Sequence, residues 1–244
     1  GKARFAAIPT TVGSGSEVSS AAVLIDPSSG SKKAVVSHDL LPDLVILDPE
    51  FLTEVSTLML RPTIADALSH AIEGYLSTID HPLMNIFAEK AVQIIFSYKS
   101  NLKDKVWSKD MLEDLQYASM LAGWVQNHCL VGMSHAVAHQ LGGFGVGHAL
   151  ANGLLMPEVI EFNCADTKAK EKYLYLCLQA GIPDVQAMKE LFYELVADMK
   201  PALRFSQDQL LVMAESSLQD PAARVCPVPF DEKDVITIIK KCLI

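Results

Sequence analysis

A run of 43 consecutive residues without Asp, Glu, Lys or Arg, residues 115–157, constrains the fold of this chain more than any other feature. A membrane-spanning helix needs about 20 predominantly apolar residues in an unbroken span. Here Gln, Asn, Ser and His side chains interrupt the run throughout, and it holds four of the seven histidines of the protein. We therefore predict the buried interior of a helical domain with a functional site inside it.

The overall composition narrows the class of protein. The chain has 244 residues, half of them hydrophobic, and 20 basic against 29 acidic side chains. This length suits one large domain or two small ones, and the apolar content excludes intrinsic disorder. A pI near 5.2 without any basic stripe excludes nucleic acid and anionic membrane surfaces as partners. Five scattered cysteines without a C-x-x-C motif predict neither a disulfide framework nor a cysteine zinc site, and favour a cytoplasmic protein.

The chain divides near residue 55 into a β-rich and a helical part. Four short strands are predicted within residues 1–54, two of them forming a hairpin around the Asp-Pro-Ser-Ser-Gly turn at 26–30. Residues 55–244 show helical periodicity and are predicted to form one all-helical domain. The predicted helices cover residues 61–77, 82–99, 110–128, 132–142, 149–160, 167–180, 184–199, 207–218 and 231–242.

The helical part carries a constellation of metal-ligand type. Asp66 and His70 are four residues apart on one predicted helix, so their side chains leave the same face. His135 and His139 repeat this spacing, and His148 follows a glycine-rich loop that can bring it back beside them. A carboxylate and several imidazoles in an apolar setting suit a divalent transition metal, with zinc and iron both admissible. The alternative is a set of ordinary hydrogen-bonded histidines.

Two other motifs are weaker. The loop at residues 10–17 (TTVGSGSE) could cradle a phosphate with its backbone N–H groups, but it lacks the third glycine of G-x-G-x-x-G, and a plain Ser/Gly turn is the favoured interpretation. The adjacent pair His38 and Asp39 is typical of metal phosphohydrolases. It lies beside a predicted strand and turn instead of in a helix, which makes that interpretation unfavourable.

Three motifs together resemble those of the iron-containing (group III) alcohol dehydrogenase family. They are residues 8–18 (IPTTVGSGSEV), 66–75 (DALSHAIEGY) and 132–142 (GMSHAVAHQLG), the last followed by His148. The resemblance implies a mainly α fold. In it, a dehydroquinate synthase-like helical metal-binding domain (55–244) follows a short β remnant (1–54) of an α/β nucleotide-binding domain. It also implies NAD(P)-dependent interconversion of an alcohol with its aldehyde or ketone.

The family pattern implies roles for particular residues. The metal ligands would be Asp66, His70, His135 and His148, and the metal would be ferrous iron or zinc. His139 would lie near the substrate and carry the hydroxyl proton towards solvent. Residues implied to contact the coenzyme NAD(P) are Thr10, Thr11 and Gly15 at the nucleotide and Lys32 at the ribose.

One departure from the family pattern affects the expected activity. Family members begin with a nucleotide-binding domain that carries a GGGS-type pyrophosphate loop, and this sequence contains no such loop. We therefore expect this polypeptide, on its own, to bind metal with little dehydrogenase activity, and to form homo-oligomers through exposed apolar surface. Two alternatives stay open at this point: a helical metal-dependent hydrolase and a non-catalytic metal-binding or assembly module.

Overall fold

The structure is a computed structural model that describes residues 4–25 and 32–243. The predicted hairpin turn at 26–30 lies outside the described residues. Its two flanking strands are present: β2 (Ala21–Ile25) pairs antiparallel with β3 (Lys32–Val36), with Ala21 opposite Val36. A second, parallel pair joins β1 (Ala6–Ala7) to β4 (Leu44–Val45). The prediction of four short strands before residue 55 is therefore confirmed.

The rest of the described chain is helical, which confirms the mainly α fold class. The ten helices are α1 (Thr57–Leu76), α2 (Pro82–Ser97), α3 (Lys99–Asp104), α4 (Lys109–Cys129), α5 (Met133–Leu141), α6 (His148–Asn163), α7 (Thr167–Ala180), α8 (Val185–Val196), α9 (Gln207–Gln219) and α10 (Glu232–Leu243).

Helix α1 is the central element of the helical body. It packs against α2, α4, α6 and α8, and from Leu60 to Leu76 nearly every residue is buried. Helices buried on all sides are apolar all round instead of amphipathic, and α1 follows this except at the polar residues of the site and at Arg61 and Ser69, whose side chains are hydrogen-bonded. Because those residues project from a surrounded helix, their positions are fixed by packing on every side.

Two helices differ from the sequence prediction. Pro62 favours the first turn of a helix, which predicted a start at residue 61. The structure extends α1 one turn further, beginning after Ser56, and Pro62 lies inside it. The short helix α3 was not predicted. It follows α2 after the single residue Tyr98, and at six residues it is too short to show a periodic pattern.

Two global expectations are also tested. All five cysteines are free, in agreement with the absence of a disulfide framework. Within the two described segments, no helix is both long and apolar enough to cross a membrane.

Candidate metal centre

Three helices bring one carboxylate and three imidazoles to a single point. Helix α1 supplies Asp66 and His70, α5 supplies His135, and α6 supplies His148 as its first residue. One donor atom from each of the four side chains lies within 4.8 Å of the other three. The four residues that the family pattern implies as ligands are thus brought together.

The spacing of these atoms suits a metal ion. The Nε2 atoms of His135, His148 and His70 lie 3.7, 3.8 and 4.0 Å from the same oxygen, Oδ1 of Asp66. Bonds of about 2.0–2.2 Å from nitrogen and oxygen donors to one ion hold neighbouring donors roughly 3.0–3.5 Å apart. The observed separations are too long for direct hydrogen bonds, and small shifts would bring all four donors to bonding distance of one ion.

Hydrogen bonds at the far side of the rings aim the two most buried imidazoles. Nδ1 of His135 lies 2.6 Å from Oε2 of Glu73, and Nδ1 of His70 lies 3.3 Å from the carbonyl oxygen of Gly13. A ring that donates its Nδ1 proton in this way presents the lone pair of Nε2. The Nε2 atom of His135 is fully buried and finds no hydrogen-bond partner among the residues that the structure describes. A buried polar atom without a partner is costly, and a bound cation would satisfy it.

The pKa values of Asp66, His70 and His148 favour the protonation states in which these side chains can bind a metal ion. Burial alone would raise the pKa of Asp66, but His70, His135 and His148 together hold the pKa of this carboxyl well below its usual range. Burial lowers the pKa of His70 to about 4 and that of His148 to about 3, so both rings are neutral at physiological pH. Neutral imidazole and ionised carboxylate are the forms that coordinate metals.

His135 behaves differently from the other two rings. Burial by itself lowers its pKa, but the negative charges of Asp66 and Glu73, together with the hydrogen bond to Glu73, outweigh burial and raise the pKa to about 9. Without an ion, His135 is therefore the cation that balances two buried carboxylates. A metal ion would replace its Nε2 proton and take over that role.

Two buried residues that the sequence analysis did not select complete the site. Glu73 lies seven residues after Asp66 on α1, and its carboxylate also accepts hydrogen bonds from the backbone N–H groups of Gly132 and Ser134. Asn152, on α6, donates from Nδ2 to Oδ1 of Asp66 at 2.8 Å and accepts from the hydroxyl of Ser134 at 3.0 Å. A signal was present for each, because Glu73 and Asn152 stand three and four residues after the candidate ligands His70 and His148.

His139 lies one turn beyond His135 and does not belong to the four-residue cluster. Its ring is stacked on that of His148, with centroids 5.3 Å apart, and its Nδ1 lies 2.8 Å from Oδ2 of Asp220. Asp220 is held in turn by the backbone N–H of Ala222. The structure thus places His139 at the wall of the site, paired with a carboxylate 81 residues further along the chain.

A cavity of about 510 Å³ opens over the cluster. Asp66 and the four histidines of the site line one side of it, and Ser14 and Ser16 from the glycine-rich loop line another. Leu130 also lines the wall, with φ 59° and ψ −172°, a backbone conformation that is strained for any residue but glycine. The cavity is large enough for a small organic substrate beside the cluster.

Of the residues predicted to contact a nucleotide, Gly15 lies between Ser14 and Ser16, which line the cavity, and Thr10 and Thr11 come earlier in the same loop. Thr10 is exposed and Thr11 is half-buried, whereas Gly15 is buried with φ 56°. A Cβ atom built on Gly15 would lie only 2.4 Å from the Cα of Gly123, so glycine here allows the loop to pack against α4. Lys32 is the first residue of β3, and its side chain lies outside the described part of the structure. Nucleotide contacts of all four stay predictions.

Two family models match the chain. The model described as Fe-containing alcohol dehydrogenase family, C-terminal, matches residues 62–243, and the model described as iron-containing alcohol dehydrogenase matches residues 1–49.

Curated relatives and solved structures agree with these matches. The 1-propanol dehydrogenase PduQ of Citrobacter freundii is 42% identical over 68% of this chain and 45% of its own length. The protein of the same name from Salmonella typhimurium is 32% identical over 97% of this chain and 69% of its own length. A crystal structure of a 1,3-propanediol oxidoreductase superposes with a TM-score of 0.87 at 28% identity, covering 98% of this chain and 66% of that one. A sulfoacetaldehyde reductase from Bifidobacterium kashiwanohense, solved in complex with NAD+, gives a TM-score of 0.85 at 26% identity, covering 98% and 64%.

Proposed function

The chain belongs to the iron-containing alcohol dehydrogenase family, and on that premise we propose that it serves NAD(P)-dependent interconversion of a small alcohol with its aldehyde or ketone. The chain spans 45% of the length of PduQ from Citrobacter freundii, 69% of that from Salmonella typhimurium and 66% of the 1,3-propanediol oxidoreductase structure. The relatives support a dehydrogenase over the metal-dependent hydrolase and the non-catalytic module. We propose a cytoplasmic homo-oligomer in which residues 1–54 belong to the coenzyme side and residues 55–244 form the metal-binding domain.

We propose Asp66, His70, His135 and His148 as the ligands of one ferrous or zinc ion. The observation that carries this proposal is the buried Nε2 of His135, which has no hydrogen-bond partner and faces the carboxylate of Asp66. When bound, a divalent ion supplies the Lewis acidity that lowers the pKa of an alcohol and polarises a carbonyl. The set of three imidazoles and one carboxylate, without a thiolate, suits either metal.

The side chains around the cavity would handle the proton and the substrate. Because Nδ1 of His139 is engaged by Asp220, its Nε2 is left to accept the hydroxyl proton of the alcohol and pass it to solvent. The partial exposure of His139 supports this role, since a proton carrier needs contact with water. Thr10, Thr11, Gly15 and Lys32 are proposed on the coenzyme side, and hydride transfer itself belongs to the coenzyme.

Elemental analysis tests the metal site without requiring turnover. Protein purified without chelator should contain about one iron or zinc per chain. The variant His135→Ala should lose that metal, because a buried donor is removed. The matched control is His139→Ala, one turn along the same helix, which should keep the full metal content. Equal metal content in wild type and His135→Ala would contradict the proposed ligand set.

A second measurement tests the reaction. Supplied with the nucleotide-binding domain of a relative, the metal-loaded protein should reduce a short-chain aldehyde with NADH or NADPH, whereas the chain alone should show little turnover. In the active mixture, His139→Ala should be slowed about 100-fold or more because a general acid–base group is lost. Full metal content without turnover, both alone and with an added nucleotide-binding domain of a relative, would reject the dehydrogenase and favour the non-catalytic module. Light scattering on the same samples tests the oligomer.

A further inference from the structure

Glu73 makes three hydrogen bonds that converge on one end of α5. Its Oε2 atom lies 2.6 Å from Nδ1 of His135 and 2.8 Å from the backbone nitrogen of Gly132. Its Oε1 atom lies 2.7 Å from the backbone nitrogen of Ser134. The carboxylate is buried, with 5% of the residue exposed. A buried charge needs such partners, and here they all belong to the helix that carries His135.

The sequence around α5 is adapted to a cap from outside the helix. The residue at the N-cap position, Gly132, has no side chain to accept the first N–H groups of the helix. A Cβ atom on Gly132 would lie 3.0 Å from Oε1 of Glu73, so a larger residue would crowd the carboxylate. The negative charge also lies at the positive end of the helix dipole. One carboxylate from α1 therefore fixes both the start of α5 and the ring orientation of its third residue.

We propose that Glu73 is a positioning residue that holds His135 with Nε2 towards the metal and thereby sets the affinity of the site. This inference rests on the proposed metal function. An imidazole whose Nδ1–H is bonded to a carboxylate is fixed in one tautomer and is a stronger donor at its other nitrogen. The second carboxylate also balances charge, since Asp66 and Glu73 together neutralise one divalent ion beside neutral imidazoles.

The variant Glu73→Gln keeps one capping bond and reverses the contact with His135. The remaining amide oxygen can still accept from the N–H of Ser134, whereas the bond from the N–H of Gly132 is lost together with that from His135. The new amide nitrogen would face His135, so Nδ1 of the ring would have to accept a hydrogen bond and Nε2 would carry the ring proton. We expect Zn(II) affinity, measured on chelator-treated protein against a chromophoric competitor, to fall roughly 10–100-fold. The Co(II) form should show a changed visible spectrum.

The matched control is Asp220→Asn, the same chemical change in the carboxylate that pairs with His139. It should leave Zn(II) affinity within about twofold of wild type, because His139 is not one of the four clustered donors. Wild type that binds Zn(II), together with Glu73→Gln of equal affinity, would overturn the role of Glu73. Wild type that binds no Zn(II) would instead overturn the proposed metal site.

A measurement on the unaltered protein covers the case in which Glu73→Gln does not fold. In the Zn(II)-loaded wild type, ¹⁵N NMR of the histidine rings should show His135 protonated at Nδ1 and metal-bound at Nε2. Protonation at Nε2, or metal at Nδ1, would overturn the proposal.

Discussion

Two imidazole–carboxylate pairs lie one turn apart on α5 and differ mainly in depth. His135 pairs with Glu73 at 2.6 Å, and His139 pairs with Asp220 at 2.8 Å, in each case through Nδ1. The side chain of His135 is 2% exposed, whereas that of His139 is 28% exposed. The free nitrogen of the inner pair is directed into the buried cluster of donors, whereas that of the outer pair lies at the more exposed wall of the cavity.

The comparison shows how one motif can serve two kinds of chemistry. A carboxylate on one nitrogen fixes the tautomer in both pairs, so the second nitrogen is presented in a known state. In the interior, that nitrogen is buried and has no hydrogen-bond partner among the described residues, so a bound ion would satisfy it. At the cavity wall it can exchange protons with solvent or substrate. Burial, more than residue type, therefore separates the proposed ligand His135 from the proposed proton carrier His139.

The largest expected difference between the pairs is in apo-protein stability. His135→Ala removes the cation between two buried carboxylates, and an uncompensated buried charge costs about 3–5 kcal/mol. His139→Ala leaves Asp220 near solvent and still bonded to Ala222, so we expect a cost of about 1 kcal/mol. Urea unfolding in the presence of chelator measures both. Equal losses in the two variants would show that depth does not distinguish the pairs.

An intermediate effect is expected at Asn152, which connects the inner pair to Asp66. Asn152→Leu removes the donor to Oδ1 of Asp66 and the acceptor for Ser134, and unsatisfied buried groups cost about 1–3 kcal/mol each. Gln140→Leu is the matched control, because this half-buried amide bonds only to the carbonyl of Ala136, within its own helix. Differential scanning calorimetry should show a clear drop in Tm for the first variant alone. A drop of the same size in the control would remove Asn152 from the inner network.

The smallest effect concerns the link that leads into α5. Leu130 has a strained backbone and a 40% exposed side chain. Leu130→Gly should therefore raise the free energy of unfolding by about 1 kcal/mol, because relief of a strain of about 1–3 kcal/mol outweighs the backbone entropy of glycine. Lys105→Gly, at another positive φ, is the control and should also stabilise. A loss of stability confined to Leu130→Gly, measured by urea unfolding, would show that its side chain supports the helix carrying both pairs.

The sequence predicted much of the fold because its signals are local. Turn residues account for the hairpin strands. Capping residues account for the start of α4 after Ser108, the start of α7 after Asp166 and the end of α7 at Gly181. The missed helix α3 begins after Tyr98 and lacks such a signal. The early start of α1 has one in Ser56, but Pro62 points to a start one turn later.

For the candidate site, spacing alone selected Asp66, His70, His135, His139 and His148, and the structure brings them to one cavity. Spacing did not select Glu73, Asn152 or Asp220. Their roles depend on pairing across helices: Glu73 with His135 is separated by 62 residues and Asp220 with His139 by 81. Helical periodicity reports which residues share a face, but it carries no information about which faces meet.

The hydrogen bond from His70 to the carbonyl of Gly13 connects α1 to the glycine-rich loop, two segments that are 57 residues apart in the sequence. Gly13 belongs to the loop whose neighbours Ser14 and Ser16 line the cavity, so one bond ties the loop to an element of the metal cluster. Any occupant of the loop that shifts this carbonyl changes the free energy of holding an ion. By thermodynamic linkage, the ion then changes the affinity of that occupant by the same factor. Binding at the loop and binding of an ion are therefore coupled reciprocally, and the order of the two binding events does not alter their total free energy.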